Sequence, residues 1–216
     1  MKYKVALFDL DGCLLASAPG IIKSIKTTLD ESGVKYNPED LNKMIGPPFR
    51  VSMRLYCGLS EEETEQFILS YREKYNDYGW KMSEPYEGII DLLKTLKENG
   101  VIIASATSKP EKFAKLMFDY HGISPYLDFI GGAVSDKSRE SKKDVINWVL
   151  DNLGVTDRSQ VIMVGDRCYD IDGARECGLD TIAVLWGYGN MDEFKEHNAK
   201  YICEEPMDVA KLILDI

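Results

Sequence analysis

The feature that most constrains the fold is a repeated alternation of short apolar runs with amphipathic stretches, punctuated by glycine. Val5-Ala6-Leu7-Phe8, Val101-Ile102-Ile103-Ala104-Ser105-Ala106, Phe129-Ile130-Gly131-Gly132, Val161-Ile162-Met163-Val164 and Thr181-Ile182-Ala183-Val184-Leu185 each read as a strand. Between them, residues 87–99, 110–120, 142–153 and 169–177 read as helices, with stops at Gly100 and Gly154. A continuous apolar run has no polar face to show to water. Such strands must be covered on both sides, as helices alternating with parallel strands provide. The expected class is therefore α/β, with a Rossmann-like parallel-sheet core.

The stretch from about Ser17 to Trp80 breaks this rhythm. Ile21, Ile22, Ile25 and Leu29 lie at helical spacing before Gly33. Asn37-Pro38-Glu39-Asp40 reads as an N-cap, a first-turn proline and early acids, and Ser60-Glu61-Glu62-Glu63 repeats that helix-start signal. No strand stands out here. Four residues at Val5 to Phe8 cannot stand alone and must join the later strands. The helical stretch is thus expected to be an inserted α-helical cap domain, residues 16–82, in a core formed by residues 1–15 and 83–216.

Composition narrows the function. With 36 acidic against 26 basic side chains and a net charge of −10, the chain has no basic footprint for nucleic acid. No apolar run approaches the ~20 residues that span a bilayer, and no cationic amphipathic helix suggests a membrane surface. The opening residues lack the apolar length of a signal peptide. The expectation is a cytoplasmic protein, a monomer or small homo-oligomer, without nucleic-acid or membrane partners. The five cysteines form no C-x-x-C pair and there are only two histidines, His121 and His197, which disfavours zinc and points to reduced thiols. Any metal should be a hard cation held by oxygen.

Open parallel sheets bind ligands beyond the carboxyl ends of their strands. There the sequence places Asp9 and Asp11, then Thr107, Ser108 and Lys109, then Gly165-Asp166, with Asp170 at the start of the next helix. Carboxylates gathered on one rim repel each other. An oxygen-ligated Mg²⁺, with Lys142 or Lys143 as a fixed positive charge, would offset them. Such a set suits phosphoryl transfer, with a carboxylate nucleophile and Asp11 exchanging a proton with the leaving oxygen.

At this point the sequence resembles the haloacid dehalogenase superfamily of phosphatases, over nearly its whole length. Phe8-Asp9-Leu10-Asp11-Gly12 looks like the first motif of that family, Thr107 the second, Lys142 in Ser-Lys-Lys-Asp-Val-Ile the third, and Val164-Gly165-Asp166-Arg167-Cys168-Tyr169-Asp170 the fourth. The resemblance implies that Asp9 is the nucleophile and Asp11 the general acid/base. Thr107 and Lys142 would bind the phosphoryl group, with Ser108 beside them. Mg²⁺ would be held by Asp9, Asp166 and the backbone carbonyl of Asp11, with Asp170 in support. The helical insertion, Ile45-Gly46-Pro47-Pro48 and Trp186-Gly187-Tyr188-Gly189 are similar to the phosphoglycolate phosphatase-like branch. Cys13 and Ala16 depart from that pattern at positions that often hold threonine and aspartate.

Arg50 is a candidate to reach a substrate anion from the cap, while Tyr71, Tyr75, Tyr78 and Trp80 read as packing. The implied activity is Mg²⁺-dependent hydrolysis of a small phosphorylated metabolite, phosphoglycolate-like first and nucleoside 5′-monophosphates (5′-nucleotidase activity) next. A sugar-phosphate mutase would use the same Asp9 and need a second phosphate site, for which only Arg50 speaks. A phospho-aspartate receiver domain would carry its acceptor after a middle strand. A silent binding protein would not need all four motifs.

Overall fold

The structure is a computed structural model, and it describes residues 1–45, 49–134, 138–139 and 141–216. Gly46-Pro47-Pro48, part of the family resemblance, lie outside the described residues. The chain divides into two compact units, Met1–Ala16 with Pro85–Ile216, and Ser17–Glu84.

The larger unit holds β1 (Val5–Phe8), and β2 (Leu15–Ala16) pairs with β3 (Glu84–Pro85) in a short ladder where the chain leaves and returns. Neither of these two-residue strands carries a sequence signal; the expected boundary at 15/16 falls inside β2 and the one at 82/83 just before β3. The six-stranded sheet runs β5-β4-β1-β6-β7-β8, comprising β4 (Ile102–Pro110), β5 (Phe129–Ala133), β6 (Val161–Gly165), β7 (Asp180–Val184) and β8 (Tyr201–Cys203). Its ladders are parallel, which matches the expected class.

The helices of this unit are α4 (Ile89–Glu98), α5 (Glu111–Tyr120), α6 (Lys142–Asn152), α7 (Cys168–Glu176), α8 (Met191–Glu196) and α9 (Pro206–Leu214). Val5 and Leu7 join Ala104, Ala106, Val161 and Met163 in a core closed by Val145, Ile146, Val149 and Ala174 of α6 and α7. Ala6 and Phe8 alternate to the opposite face and are equally inaccessible, on the side where α4 and α9 pack together. β1, at the centre of the sheet, is therefore dry on both faces, as its unbroken apolar run requires. One sequence expectation is corrected here. β4 runs on through Thr107, Ser108 and Lys109 to Pro110, so these residues sit within the strand rather than after it. The short strand β8, and the helices α8 and α9, had not been anticipated.

The smaller unit contains α1 (Ala18–Ser32), a 3₁₀ stretch at Pro38–Met44, α2 (Phe49–Cys57), α3 (Glu61–Asp77) and a turn at Gly79–Lys81. Gly33 ends α1 in the left-handed conformation, and Ser60 and Glu63 close a capping box on α3. Asn37 caps as expected, accepting from the Glu39 N–H, but what it starts is 3₁₀ rather than α. Tyr71, Tyr75 and Trp80 are buried, and Tyr71 lies 4.4 Å from Phe49 and 5.6 Å from Tyr75 between ring centroids, so the aromatics are this unit's own core. Among the described residues, no helix is long and apolar enough to cross a membrane.

One tie fixes the start of α7. Glu193 of α8 accepts from the Cys168 N–H at 2.7 Å and from Arg167 Nε at 3.0 Å. Burial raises the pKa of Glu193, but these bonds outweigh it and hold the carboxyl below its ordinary range. A depressed folded-state pKa means stability present above the unfolded value and lost as pH falls through the folded one. Glu193→Ala should cost about 1–2 kcal/mol at pH 7. In urea titrations the gap to wild type should narrow below about pH 4; a gap independent of pH would contradict this.

Candidate active site

The register of the sheet assembles the site. Phe8 lies level with Ser105 on β4 and Val164 on β6, so Asp9, Thr107 and Asp166 emerge together at the carboxyl edge. β1 is the point where the chain's crossovers change direction, with β4 on one side and β6 on the other, and such a point opens a crevice. The Asp9 N–H is itself held by the Val164 carbonyl at 2.9 Å.

Asp9, Asp166 and Asp170 are all buried, and each offers an oxygen within 4.8 Å of the others. Lys142 meets this cluster from the N-terminus of α6. Its ammonium lies 2.7 Å from Asp9 Oδ1, 2.6 Å from Asp170 Oδ1 and 3.0 Å from the Ala106 carbonyl. Three donors thus meet three acceptors. A cation in the first turn of a helix opposes the helix dipole, and the Ser141–Asp144 capping box partly offsets this. Burial pushes the lysine pKa down, but Asp170 and Asp9 outweigh it and hold the ammonium above its ordinary value. Lys142 can lie here because α7 carries Gly173 where its stem passes; a Cβ at that position would crowd the Lys142 Cβ and Cγ. Lys143 instead is half exposed and pairs with Glu176 at 3.3 Å.

Asp166 is held by the Trp186-Gly187-Tyr188-Gly189 turn. Its Oδ2 accepts from the Tyr188 N–H at 2.7 Å, while the Trp186 indole donates to the Cys13 carbonyl at 2.9 Å. Gly12 has φ +86°, and a Cβ there or on Gly187 would collide with Asp166. Glycine is required at both points for the loops to close on this carboxylate. Asp166 Oδ1 is buried with no hydrogen-bond partner among the described residues. Burial, with the charges of Asp170 and Asp9, pushes the Asp166 pKa well up. Asp170 is pushed up to about 6 by burial, against the pull of Lys142. Its Oδ2 accepts from the Asp166 and Arg167 N–H groups, both at 3.1 Å, so Asp170 also caps α7.

Three buried carboxylates facing the one Lys142 ammonium are crowded with like charge, which is why burial and their neighbours push Asp166 and Asp170 up. The orphaned Asp166 oxygen and an all-oxygen donor set fit a hard divalent cation.

The other sequence candidates lie as follows. The Asp11 side chain stands apart from the acidic cluster and pairs with Lys109 at 2.9 Å. Thr107 is buried, its Oγ1 accepting from the Lys109 N–H at 3.2 Å, and Ser108 is exposed. Arg50 lies on the smaller unit at the start of α2, where its Nε is 2.6 Å from Glu65 Oε1. Sequence reasoning missed two contributors, the Lys109 ammonium on Asp11 and the Tyr188 N–H on Asp166. A backbone donor leaves no side-chain signature; the flanking glycines were the signal for close approach.

This fold and site define a hydrolase class, and residues 6–184 match the family of haloacid dehalogenase-like hydrolases, to which the chain belongs. The chain is 40% identical over 88% of its length to the tyrosine-protein kinase PtkA of Mycobacterium tuberculosis, and spans 64% of that relative. It is 30% identical to a 5′-nucleotidase of Pseudomonas aeruginosa, with 95% of this chain and 93% of the relative covered. To a phosphoglycolate phosphatase of Aquifex aeolicus it is also 30% identical, with 97% and 96% covered. The crystal structure of a predicted phosphatase from Clostridium acetobutylicum superposes with a TM-score of 0.92 at 35% identity, covering 100% of both chains.

Without divalent cation at pH 8, Asp166→Asn should stabilise the protein by about 1–3 kcal/mol, because its amide oxygen still accepts from Tyr188 while one charge is gone. Melting in chelator checks this, and a lower melting temperature than wild type would contradict it.

Proposed function

We propose that this protein is a Mg²⁺-dependent phosphatase of small phosphomonoesters, working through an aspartyl-phosphate on Asp9. The observation that carries the reading is the Lys142 ammonium 2.7 Å from Asp9 Oδ1, within a cluster of three buried carboxylates. Asp9, Asp166 and the backbone carbonyl of Asp11 would hold the Mg²⁺, with Asp170 fixing Asp166 and Lys142 from behind. When bound, the ion supplies positive charge to the phosphoryl oxygens.

Asp9 is a carboxylate fixed by its N–H and by Lys142, so one oxygen is oriented and the other is available to attack. Its oxygen forms a bond to phosphorus as the bond from phosphorus to the ester oxygen breaks. Asp11 gives its proton to that ester oxygen, which leaves as the alcohol. Asp11, now a carboxylate, takes a proton from water as the water oxygen attacks phosphorus. Inorganic phosphate departs and Asp9 is restored. Lys142 offsets the phosphoryl charge throughout, and Thr107 donates its hydroxyl to a phosphoryl oxygen. Arg50, on the smaller unit, is kept as a proposed substrate contact.

Phosphoglycolate-like esters come first and nucleoside 5′-monophosphates second, supported by relatives that bear those names. The 40% identity to the kinase relatives favours a second reading, transfer of the phosphoryl group from Asp9 to a tyrosine hydroxyl. Phosphate release from a panel of phosphomonoesters tests the first reading. Turnover should require Mg²⁺, stop in chelator, and fall at least about 1,000-fold in Asp9→Asn. Phosphotyrosine formed from ATP, with no phosphatase turnover, would support the second reading.

Gly187→Ala should move Asp166 and so raise the Mg²⁺ concentration for half-maximal thermal stabilisation by about tenfold. An unchanged midpoint would show that the turn does not set metal affinity.

A further inference from the structure

Arg139 sits where the chain enters α6, three residues before Lys142. Its guanidinium lies 3.5 Å from the centre of the Trp148 ring on α6, and its Nη1 donates to Glu111 Oε2 at 3.0 Å. Only 13% of the Arg139 side chain is exposed. Glu111 opens α5, directly after the strand β4 that carries Thr107. A planar guanidinium can stack and pair at once, so one side chain ties the start of α5 to α6. The surroundings are as close. A Cβ on Gly132 of β5 would fall 2.7 Å from Glu111 Cα, and Phe129 of β5 backs Trp148 with ring centroids 5.0 Å apart. This clasp lies outside the acidic cluster, and its positive and negative charges offset each other.

We infer that Arg139 is a positioning residue that keeps the Lys142 ammonium in the phosphoryl site while Asp9 carries the phosphoryl group. The inference rests on the proposed hydrolase reading. Lys142 is buried at the positive end of the α6 dipole, two conditions that disfavour an ammonium. In the resting site the Asp9 carboxylate offsets them at 2.7 Å. Once an Asp9 oxygen is bonded to phosphorus, Asp9 is an acyl phosphate and no longer a carboxylate. The partner that fixed the lysine is then the group the lysine has to serve. Asp170 still holds one donor, but a flexible four-carbon stem with one partner has room to move. A hold whose own charges stay constant through the reaction answers this need. The clasp fixes the backbone ahead of Lys142 and, at Trp148, the helix six residues beyond it. The first turn of α6 lies between these two points. Because Glu111 follows β4, the clasp also sets that turn against Thr107, the other residue proposed to bind the phosphoryl oxygens. Arg158 offers the contrast. It too holds α6, donating to Asn147 Oδ1 at 2.8 Å, but it ties the helix to the Cys177 carbonyl at the end of α7, at 2.7 Å, and not to the chain that leads into Lys142.

The test reads the position of Lys142 without turnover, in the full chain. Asp9→Asn leaves residue 9 without its carboxylate, as the acyl phosphate does. Acetylation of Lys142 by acetic anhydride at pH 8 is then followed by peptide mass spectrometry, with the half-exposed Lys143 as internal reference. Adding Arg139→Ala should speed Lys142 acetylation relative to Lys143 by about tenfold, and adding Arg158→Ala should leave it unchanged. Glu111→Gln, a milder break of the same clasp, should give about threefold, and it decides the question if Arg139→Ala does not fold. With Asp9 intact, Mg²⁺ and a phosphomonoester, Arg139→Ala should lower kcat by about tenfold with KM within about threefold, while Arg158→Ala lowers only the melting temperature. A Lys142 rate that rises in neither clasp variant, or rises equally in Arg158→Ala, overturns the inference and leaves the hydrolase reading standing. So does a kcat that Arg139→Ala leaves unchanged. Failure of wild type to release phosphate from any phosphomonoester overturns both.

Discussion

The structure depends on one electrostatic bargain, the Lys142 ammonium buried among carboxylates at the edge of the sheet. Asp9, Asp166 and Asp170 would not share so small a space without it, since each carboxylate raises the cost of ionising its neighbours. Asp170 and Asp9 in turn hold Lys142 as an ammonium against its burial. The balance remains incomplete: among the described residues, Asp166 keeps one oxygen with no protein donor, beside three carboxylates and one ammonium. A fully satisfied cluster would be a structural network. This one is short of positive charge at the point where a phosphoryl group would arrive.

The fold supplies precision to that point through backbone. Parallel pairing of β1 with β4 and β6 levels three strand ends, so Asp9, Thr107 and Asp166, from distant parts of the chain, meet without long side chains. Asp170 shows how closely fold and site are joined. One of its oxygens caps α7 through two N–H groups and the other faces Lys142, so the start of a helix and the charge of the site are set by one carboxylate. Glycines at positions 12, 173 and 187 let loops and a helix approach nearer than any Cβ would permit. These are the positions where a small substitution would displace Asp166 or Lys142.

Much of the core was legible in the sequence because its strands have no polar face. Val161 to Val164 has only one way to be buried on both sides, and the class followed from repeating that inference. β8 was not legible, since three residues at a sheet edge with two only half buried carry little pattern. The acids at strand ends were legible as a set, from the rule that parallel sheets bind ligands there. The choice between Lys142 and Lys143 was not, because it turns on Gly173 of another helix. The pairing of Lys109 with Asp11 was hidden in the same way: it depends on an irregularity in strand pairing that adjacent residues do not announce. In the smaller unit, Asn37 marked a cap correctly, but the geometry after it became 3₁₀, a distinction that lies in hydrogen-bond spacing rather than residue type.

The central claim is that Asp9 itself carries the phosphoryl group. The most direct measurement is chemical trapping: acid quench during turnover, borohydride reduction of the acyl phosphate, and peptide mapping by mass spectrometry. The account predicts conversion of residue 9 to homoserine, dependent on substrate and on Mg²⁺, with Asp11, Asp166 and Asp170 unmodified. Reduction at any other carboxylate, or turnover with Asp9 unmodified throughout, would contradict it.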